Sequence, residues 1–116
     1  MFIQVIQGNV RDADHLFHEL QRWRTDIKPG ARGYLGSTGG VTADGRGITL
    51  VRFESEAAAR ANSERPEQGA WWNEAVKAFD GEVTFHDCRD VDRGLGRWLK
   101  RGRVRPADPG AGQRPR

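Results

Sequence analysis

The sequence predicts an α+β fold, a ferredoxin-like protomer with the element order β-α-β-β-α-β. Three observations predict it. Short runs rich in Ile, Val and Phe alternate with two stretches of helical periodicity. Asp44-Gly45 lies between two of the strand-like runs, where this dipeptide is typical of a tight hairpin. The order of these elements predicts a four-stranded antiparallel sheet with two helices on one face.

The first half of the chain is expected to form one strand and one helix. Phe2–Val10 is dense in Ile and Val and is typical of a strand that is covered on both faces. Asp12 suits the N-cap of a helix that runs to about Lys28, where Pro29-Gly30 ends it. The apolar positions of this helix recur at the helical period: Leu16, Phe17, Leu20, Trp23 and Ile27.

The second half is expected to hold the hairpin, the second helix and the last strand. The hairpin strands are Tyr34–Thr42 and Ile48–Phe53, and the glycines at positions 33, 36, 39 and 40 predict bulges in the first of them. Ser55 suits the N-cap of the second helix. The segment Glu82–Val91 is expected to close the sheet.

Pro66 breaks the second helix, because proline lacks an amide donor and suits the first turn of a new helical segment. Asn62 precedes this break. After the break, one helix face is expected to carry Gln68, Trp71, Trp72, Ala75, Val76 and Phe79. An amide and two indole N–H groups on an apolar face predict the wall of a pocket. Alternatively, one indole fills the core, the other lies on a dimer surface, and Asn62 only caps the break.

Charge divides the chain into a domain, residues 1–92, and a basic tail, residues 93–116. The domain has 11 Lys and Arg against 15 Asp and Glu, whereas the tail has eight basic residues against Asp108 alone. The pI of about 9.6 therefore reflects the tail, and we expect no nucleic-acid binding by the domain. The Gly-, Pro- and Arg-rich tail is expected to be mobile unless an anionic partner holds it.

Composition also bears on location and assembly. No apolar run is long enough for a membrane span, and the N-terminus lacks the pattern of a secretory signal. The lone Cys88 cannot form an internal disulfide, so a cytoplasmic protein is expected. Strands that are apolar on both faces leave one sheet face to be covered, which predicts a homodimer that packs sheet to sheet.

Two residue pairs offer potential metal ligands, His15 with His18 and His86 with Cys88. Neither pair is joined by the further convergent ligands that a zinc site requires. We therefore expect no metal, and no haem held through His86.

The chain resembles the dimeric α+β barrel superfamily, in particular its small antibiotic-biosynthesis-monooxygenase-like members. The resemblance covers about residues 1–92. It rests on the element order, on Tyr34-Leu35-Gly36 and the Asp44-Gly45 hairpin, and on three longer segments: Arg52–Ala61, Asn62–Trp72 and Val83–Asp87. It implies a pocket between sheet and helices, which in the cofactor-free oxygenases holds an aromatic substrate with Asn, Trp and Tyr-type groups.

The resemblance and the residues together suggest a set of site roles. Asn62 and Trp72 are expected to position a substrate oxygen, with Trp71 and Gln68 along the wall and Tyr34 at the mouth. His86 is the candidate general base, or else a structural histidine. Arg52 is expected to stabilise a phenolate or enolate, or else to pair with an acid across the sheet or the dimer interface.

The expected function is a small monooxygenase-like enzyme that acts without cofactor on an aromatic or polyketide-like substrate. Two alternatives stay open from the sequence. One is a cofactor-free cyclase or lyase that uses His86 for proton transfer. The other is a non-catalytic dimer that binds a small molecule or a protein partner.

Overall fold

An antiparallel sheet with helices on one face forms the structure, a computed structural model that describes residues 1–89, 91 and the backbone of 114–115. The strands are β1 (Phe2–Val10), β2 (Tyr34–Val41), β3 (Arg46–Phe53) and β4 (Phe79–Cys88), in the spatial order β2-β3-β1-β4. The short strand β5 (Arg114–Pro115) pairs with Thr84 and Phe85 at the edge of β4. The rest of the predicted tail lies outside the described residues. The ferredoxin-like fold predicted from the sequence is confirmed.

The helices begin where the sequence predicts. Helix α1 (Ala13–Arg22) is capped by the Asp12 carboxylate, which accepts from the His15 amide, and it continues as a π-helical turn (Trp23–Ile27) and a 3-10 turn (Lys28–Gly30). Helix α2 (Glu56–Ser63) is capped by Ser55, and α3 (Pro66–Ala75) restarts at the proline. Among the described residues, no helix is long and apolar enough to cross a membrane.

The strand limits differ most from the sequence-based prediction at β4, while β3 begins two residues earlier and β2 ends one residue earlier than predicted, and one side chain of α1 differs in its burial. Strand β4 begins at Phe79 rather than Glu82, because α3 ends in a 3-10 turn at Val76–Ala78 and Gly81 takes a left-handed conformation beside an irregularity in the β1–β4 register. It also ends at Cys88, three residues before the predicted Val91. Phe17 is 55% exposed, so the buried stripe of α1 excludes it.

The hairpin and its bulge form as expected. Gly45 adopts a positive φ of 88° in the turn between β2 and β3, a conformation that favours glycine. The register between β2 and β3 shifts between Tyr34 and Gly36, the bulge that the glycine-rich strand predicted. Tyr34 follows the loop and packs against Phe53, which places its ring on the helical side of the sheet.

The strand register decides which side chains can meet the helices. Phe2 pairs with Phe53, and both belong to one core cluster under α2. A second cluster under α1 and α3 is built around Ile27, Trp71 and Ala75. Because alternate strand residues point to opposite faces, the residues between the core positions of each strand lie on the face that the helices leave uncovered.

Candidate functional site

The two core clusters leave a cavity of about 360 Å³ between the helices and the sheet. Strands β1 to β4 form its floor, and α1, α2 and α3 form its walls. Phe79 borders it, lying over Gly8, where a Cβ atom would come within 2.7 Å of the ring. This volume lies within the range of about 300–1,000 Å³ that is usual for small-molecule sites.

An arc of six aromatic rings runs along the cavity. Neighbouring ring centroids are between 4.9 and 6.3 Å apart, in tilted or edge-to-face geometry. In order along the arc, the rings belong to Phe53, Tyr34, Trp23, Trp71, Trp72 and Phe85. Such a wall suits a flat apolar ring, because aromatic pairs gain about 0.5–1.5 kcal/mol beyond their buried area.

Two indole N–H groups in this arc are already used inside the protein. Trp71 Nε1 donates to the backbone oxygen of Glu19 at 2.7 Å, in a buried bond that joins α3 to α1. Trp23 Nε1 donates to Gln68 Oε1, also at 2.7 Å, and so joins the π-helical turn to α3. These bonds hold the helices together above the cavity, and neither indole N–H is left for a ligand.

Asn62 and Gln68 each present an amide nitrogen that has no hydrogen-bond partner among the described residues. Arg65 Nη1 donates to Asn62 Oδ1 at 2.8 Å, and a guanidinium can only donate, so the atom it meets must be the amide oxygen. The indole of Trp23 fixes Gln68 by the same reasoning. Each amide therefore keeps its NH2 group as a donor on a residue that lines the cavity.

Trp72 supplies a third N–H donor. Its indole nitrogen has no hydrogen-bond partner within the described part of the chain, although its ring packs against Trp71 and Phe85. Tyr34 and Ser37, which also line the cavity, are joined by a 2.8 Å hydrogen bond between their hydroxyl groups. The structure thus brings together five of the seven site residues expected from the sequence: Tyr34, Asn62, Gln68, Trp71 and Trp72.

The cavity has no charged lining. Of the described side chains that line it, none carries a carboxylate, ammonium, guanidinium or imidazole group. The polar contacts that it offers are amides, hydroxyls and one indole N–H. Such a site can hold a carbonyl or a phenolic oxygen through dipoles, but it offers no histidine or carboxylate as a base.

The expectation that His86 lies on the inward, pocket-lining face of its strand is corrected by the register of β4. His86 pairs with Val5 of β1, whereas the cavity-lining residue Phe85 pairs with Ile6. Paired residues share a face, and successive residues alternate. His86 therefore lies on the sheet face opposite the helices, where it cannot act on a ligand in the cavity of its own protomer.

Arg52 is also displaced from its expected place. It pairs with Ile3 and Gly36 on the same outer face, is exposed, and its guanidinium lies over Gly36, where a Cβ atom would come within 2.5 Å of Nη2. The cavity side of β3 instead carries Val51 and Phe53. The expected contact of Arg52 with the substrate is therefore not present in the protomer.

A group of possible metal ligands forms outside the cavity, and it differs from both pairs considered from the sequence. Donor atoms of His15, Glu19 and Glu74 lie within 4.8 Å of one another. Each carboxylate already has a cation: Arg22 is 2.8 Å from Glu19 and Lys77 is 2.9 Å from Glu74. The hydrogen bond and charge of Lys77 also lower the pKa of Glu74. We interpret the group as two local ion pairs, Glu19 with Arg22 and Glu74 with Lys77, that lie beside the hydrogen bond of His15 with the Glu74 backbone oxygen.

The Cys88 thiol is no better placed for metal or nucleophilic chemistry. Desolvation and the neighbouring Asp87 carboxylate raise its pKa above the usual value. The thiolate, which is the reactive and ligating form, is therefore disfavoured near neutral pH.

Sequence reasoning missed three contributors to the site. Trp23 was assigned only to the apolar stripe of α1, yet it both lines the cavity and orients Gln68. Phe85 ends the aromatic arc. Its alternation with the polar Thr84 and His86 along the strand was the sequence signal for its position facing the helices. Arg65 directly precedes the break at Pro66, and no sequence signal indicated its contact with Asn62.

Solved structures share this fold at low sequence identity. A protein from Caulobacter crescentus that is named as an antibiotic biosynthesis monooxygenase matches with a TM-score of 0.68 and 14% identity. The match covers 78% of this chain and 90% of that chain. SnoaB, a cofactor-independent oxygenase from Streptomyces nogalater, matches as an asparagine-to-alanine variant with a TM-score of 0.69 and 11% identity, covering 82% and 96%. A conserved protein from Methanosarcina mazei matches with a TM-score of 0.67 and 9% identity, covering 78% and 94%.

No protein-family model and no curated protein matches the sequence. These structural likenesses show the fold: the chain has the ferredoxin-like α+β fold of the antibiotic biosynthesis monooxygenase structures. This confirms, for the fold, the resemblance found in the sequence.

The different use of the two indoles predicts different effects of substitution. Trp71→Phe removes the donor to a buried backbone oxygen, whereas Trp72→Phe removes a donor that has no partner among the described residues. We expect Trp71→Phe to lower the free energy of unfolding by about 1–3 kcal/mol more than Trp72→Phe does, because an unsatisfied buried acceptor is costly. Urea denaturation followed by circular dichroism measures both. Equal losses would show that the Trp71–Glu19 bond contributes nothing.

Proposed function

We propose that this chain is a small oxygenase that acts without metal or flavin on a flat, electron-rich aromatic or polyketide-like substrate. One observation carries the proposal: three residues that line an aromatic cavity, uncharged in its described lining, each carry an N–H donor without a partner in the described part of the chain, namely Asn62, Gln68 and Trp72. The structural likeness to SnoaB, itself described as a cofactor-independent oxygenase, is consistent with it but supports only the fold.

In this proposal the aromatic arc binds the ring and the donors bind its oxygen. The faces of Trp71 and Trp72 cover the substrate ring, and the N–H groups of Asn62 and Trp72 meet a carbonyl or phenol oxygen. Gln68 adds a third donor, which Trp23 holds in place. Because these groups are fixed before the ligand arrives, little order must be imposed on binding.

The chemistry follows from what such donors stabilise. Loss of the phenol or enol proton to water leaves an oxyanion, and N–H dipoles aimed at that oxygen lower its energy. The anion gives one electron to O2, and the resulting substrate radical and superoxide combine at a ring carbon that bears hydrogen. The peroxide anion that forms takes back a proton from water and becomes a hydroperoxide. Loss of water leaves a carbonyl at that carbon. One oxygen atom is retained and the other leaves as water, so the substrate supplies both electrons.

A second candidate is a non-catalytic protein that binds the same class of ligand. The uncharged lining favours it, because binding needs no acid or base whereas most proton-transfer enzymes do. The same observation weakens the cyclase or lyase alternative, which depended on His86 inside the pocket. Oxygen uptake separates the oxygenase from the binding protein.

The proposal includes a homodimer formed through the outer sheet face, in a cytoplasmic protein. This face carries Ile3, Val5, Ile48 and Leu50, and Leu50 is 41% exposed in the single protomer. A partner packed against it would remove these apolar side chains from water. His86 and Arg52 lie on the same face, and this position supports a role in dimer assembly for both residues.

The first functional prediction concerns turnover. With a fused-ring hydroquinone as substrate, Trp72→Phe is expected to lower kcat for oxygen uptake roughly 10- to 100-fold, because one preorganised donor to the oxyanion is lost while the ring remains. An oxygen electrode measures this. His86→Gln is the control and is expected to leave kcat within about threefold, since this histidine lies across the sheet from the cavity. Full activity of Trp72→Phe, or loss of activity in His86→Gln with an unchanged assembly state, would contradict the assignment.

The assembly prediction concerns the outer face. Leu50→Lys is expected to convert the dimer to a monomer, because it places a charge at the centre of an apolar contact. The matched control is Phe17→Lys, a still more exposed apolar residue on α1, which should leave the dimer intact. Sedimentation velocity at micromolar concentration distinguishes the two states. A monomeric wild-type protein, or a dimeric Leu50→Lys variant, would refute this interface.

A further inference from the structure

Arg65 lies behind the cavity and makes three hydrogen bonds with well-defined geometry. Its Nη1 donates to Asn62 Oδ1 at 2.8 Å, its Nη2 to the backbone oxygen of Ile27 at 3.0 Å, and its Nε to Glu67 Oε1 at 2.8 Å. The side chain is only 19% exposed. It therefore ties the break between α2 and α3 to the end of the π-helical turn, and it holds Asn62 at the same time.

Glycine at position 30 makes room for this arrangement. A Cβ atom at Gly30 would lie 2.3 Å from Arg65 Nη2, a distance at which the guanidinium must move. The guanidinium itself does not line the cavity, whereas Asn62 does and is 93% buried, at 7% exposure. The positive charge, which is also paired with the Glu67 carboxylate, is thus linked to any ligand that Asn62 meets through two hydrogen bonds, one on each side of the amide.

Two consequences follow for the Asn62 amide. A donor-only partner at Oδ1 prevents the amide from flipping, so its NH2 group and not its oxygen serves the cavity. A charged donor at the oxygen also polarises the amide, because hydrogen bonds in a chain strengthen one another in a low dielectric. Both effects make the amide a better partner for a negatively charged oxygen than for a neutral hydroxyl.

We propose that Arg65 is a positioning residue that fixes and polarises the Asn62 amide, so that the cavity binds an aromatic oxyanion in preference to the corresponding neutral phenol. The inference rests on the proposed function in one respect, the place of the ligand in the cavity. It adds the ionisation state of that ligand and names the residue that selects it. The charge that stabilises the anion lies outside the cavity and acts through an uncharged side chain.

The probe for this proposal is para-nitrophenol, whose ionised form is recognised by its visible absorbance. The bound ligand should ionise at a lower pH than the free ligand. In Arg65→Met, the ratio of affinities for the ionised and neutral forms should fall about tenfold, the difference between a charge-assisted and an ordinary hydrogen bond. The non-ionisable para-nitroanisole should keep its affinity within about threefold, which shows that the cavity is intact.

Two further variants separate positioning from folding and from net charge. Gly30→Ala keeps the arginine but displaces its guanidinium, so it should lower the same affinity ratio. Arg60→Met removes a cation that pairs with Glu56 on the exposed side of α2, and it should leave the ratio unchanged. Because the ratio compares two forms of one ligand in one protein, a general loss of stability does not move it.

The outcomes are distinct. A wild-type ratio in a folded Arg65→Met variant that still binds para-nitroanisole overturns the inference and leaves the proposed function standing. A fall of the same size in Arg60→Met also overturns it, since net charge would then explain the effect. Failure of the wild-type protein to bind either probe overturns both the inference and the proposed ligand class.

Discussion

The cavity depends on a pair of hydrogen bonds that cross from α1 and its π-helical turn to α3. Trp71 Nε1 donates to the Glu19 oxygen and Trp23 Nε1 donates to Gln68 Oε1, each at 2.7 Å. Without them, the large rings of the helical layer would be free to settle onto the sheet and fill the space, as apolar side chains in a protein interior do. These hydrogen bonds between the helices therefore hold the rings of the helical layer in place above the sheet. They also use the indole donors of two tryptophans, which leaves Trp72 as the one that can serve a ligand among those in the described residues.

The same bonds determine the chemical character of the site. The side-chain oxygens of Asn62 and Gln68 each meet a group that can only donate, so each of these two amides keeps its NH2 group as a donor. The result is an aromatic cavity with fixed donors and no charged group among its described lining residues. In the proposal made above, the charge of Arg65 acts on the cavity from outside its lining, through the Asn62 amide. Such an environment stabilises an oxyanion by preorganised dipoles, which is what a substrate that itself reduces O2 would require.

Local signals in the sequence were sufficient for most of the fold, and long-range contacts decided the rest. The limits of β1, the caps at Asp12 and Ser55, and the break at Pro66 follow from neighbouring residues and were predicted correctly. Five expected site residues line the cavity: four share the broken helix, and Tyr34 begins the bulged strand. His86 was misplaced because the inward face of β4 is set by its register with β1, although the apolar Val83 and Phe85 already indicated that face. The contact between Arg65 and Asn62 and the two indole bonds depend on how distant segments pack, so no local pattern could show them.

Trp72 is the tryptophan proposed to offer its indole N–H to a ligand, whereas Trp23 and Trp71 donate theirs within the protein. Solvent exchange of the indole protons, measured by NMR on assigned signals, tests this difference most directly. In the free protein the Trp23 and Trp71 protons should exchange slowly and the Trp72 proton rapidly, since only the first two are bonded within the described structure. Adding a fused-ring hydroquinone should slow exchange at Trp72 and leave the other two unchanged. Rapid exchange that persists at Trp72 under saturating ligand, or protection that appears first at Trp23 or Trp71, would contradict this account of the site.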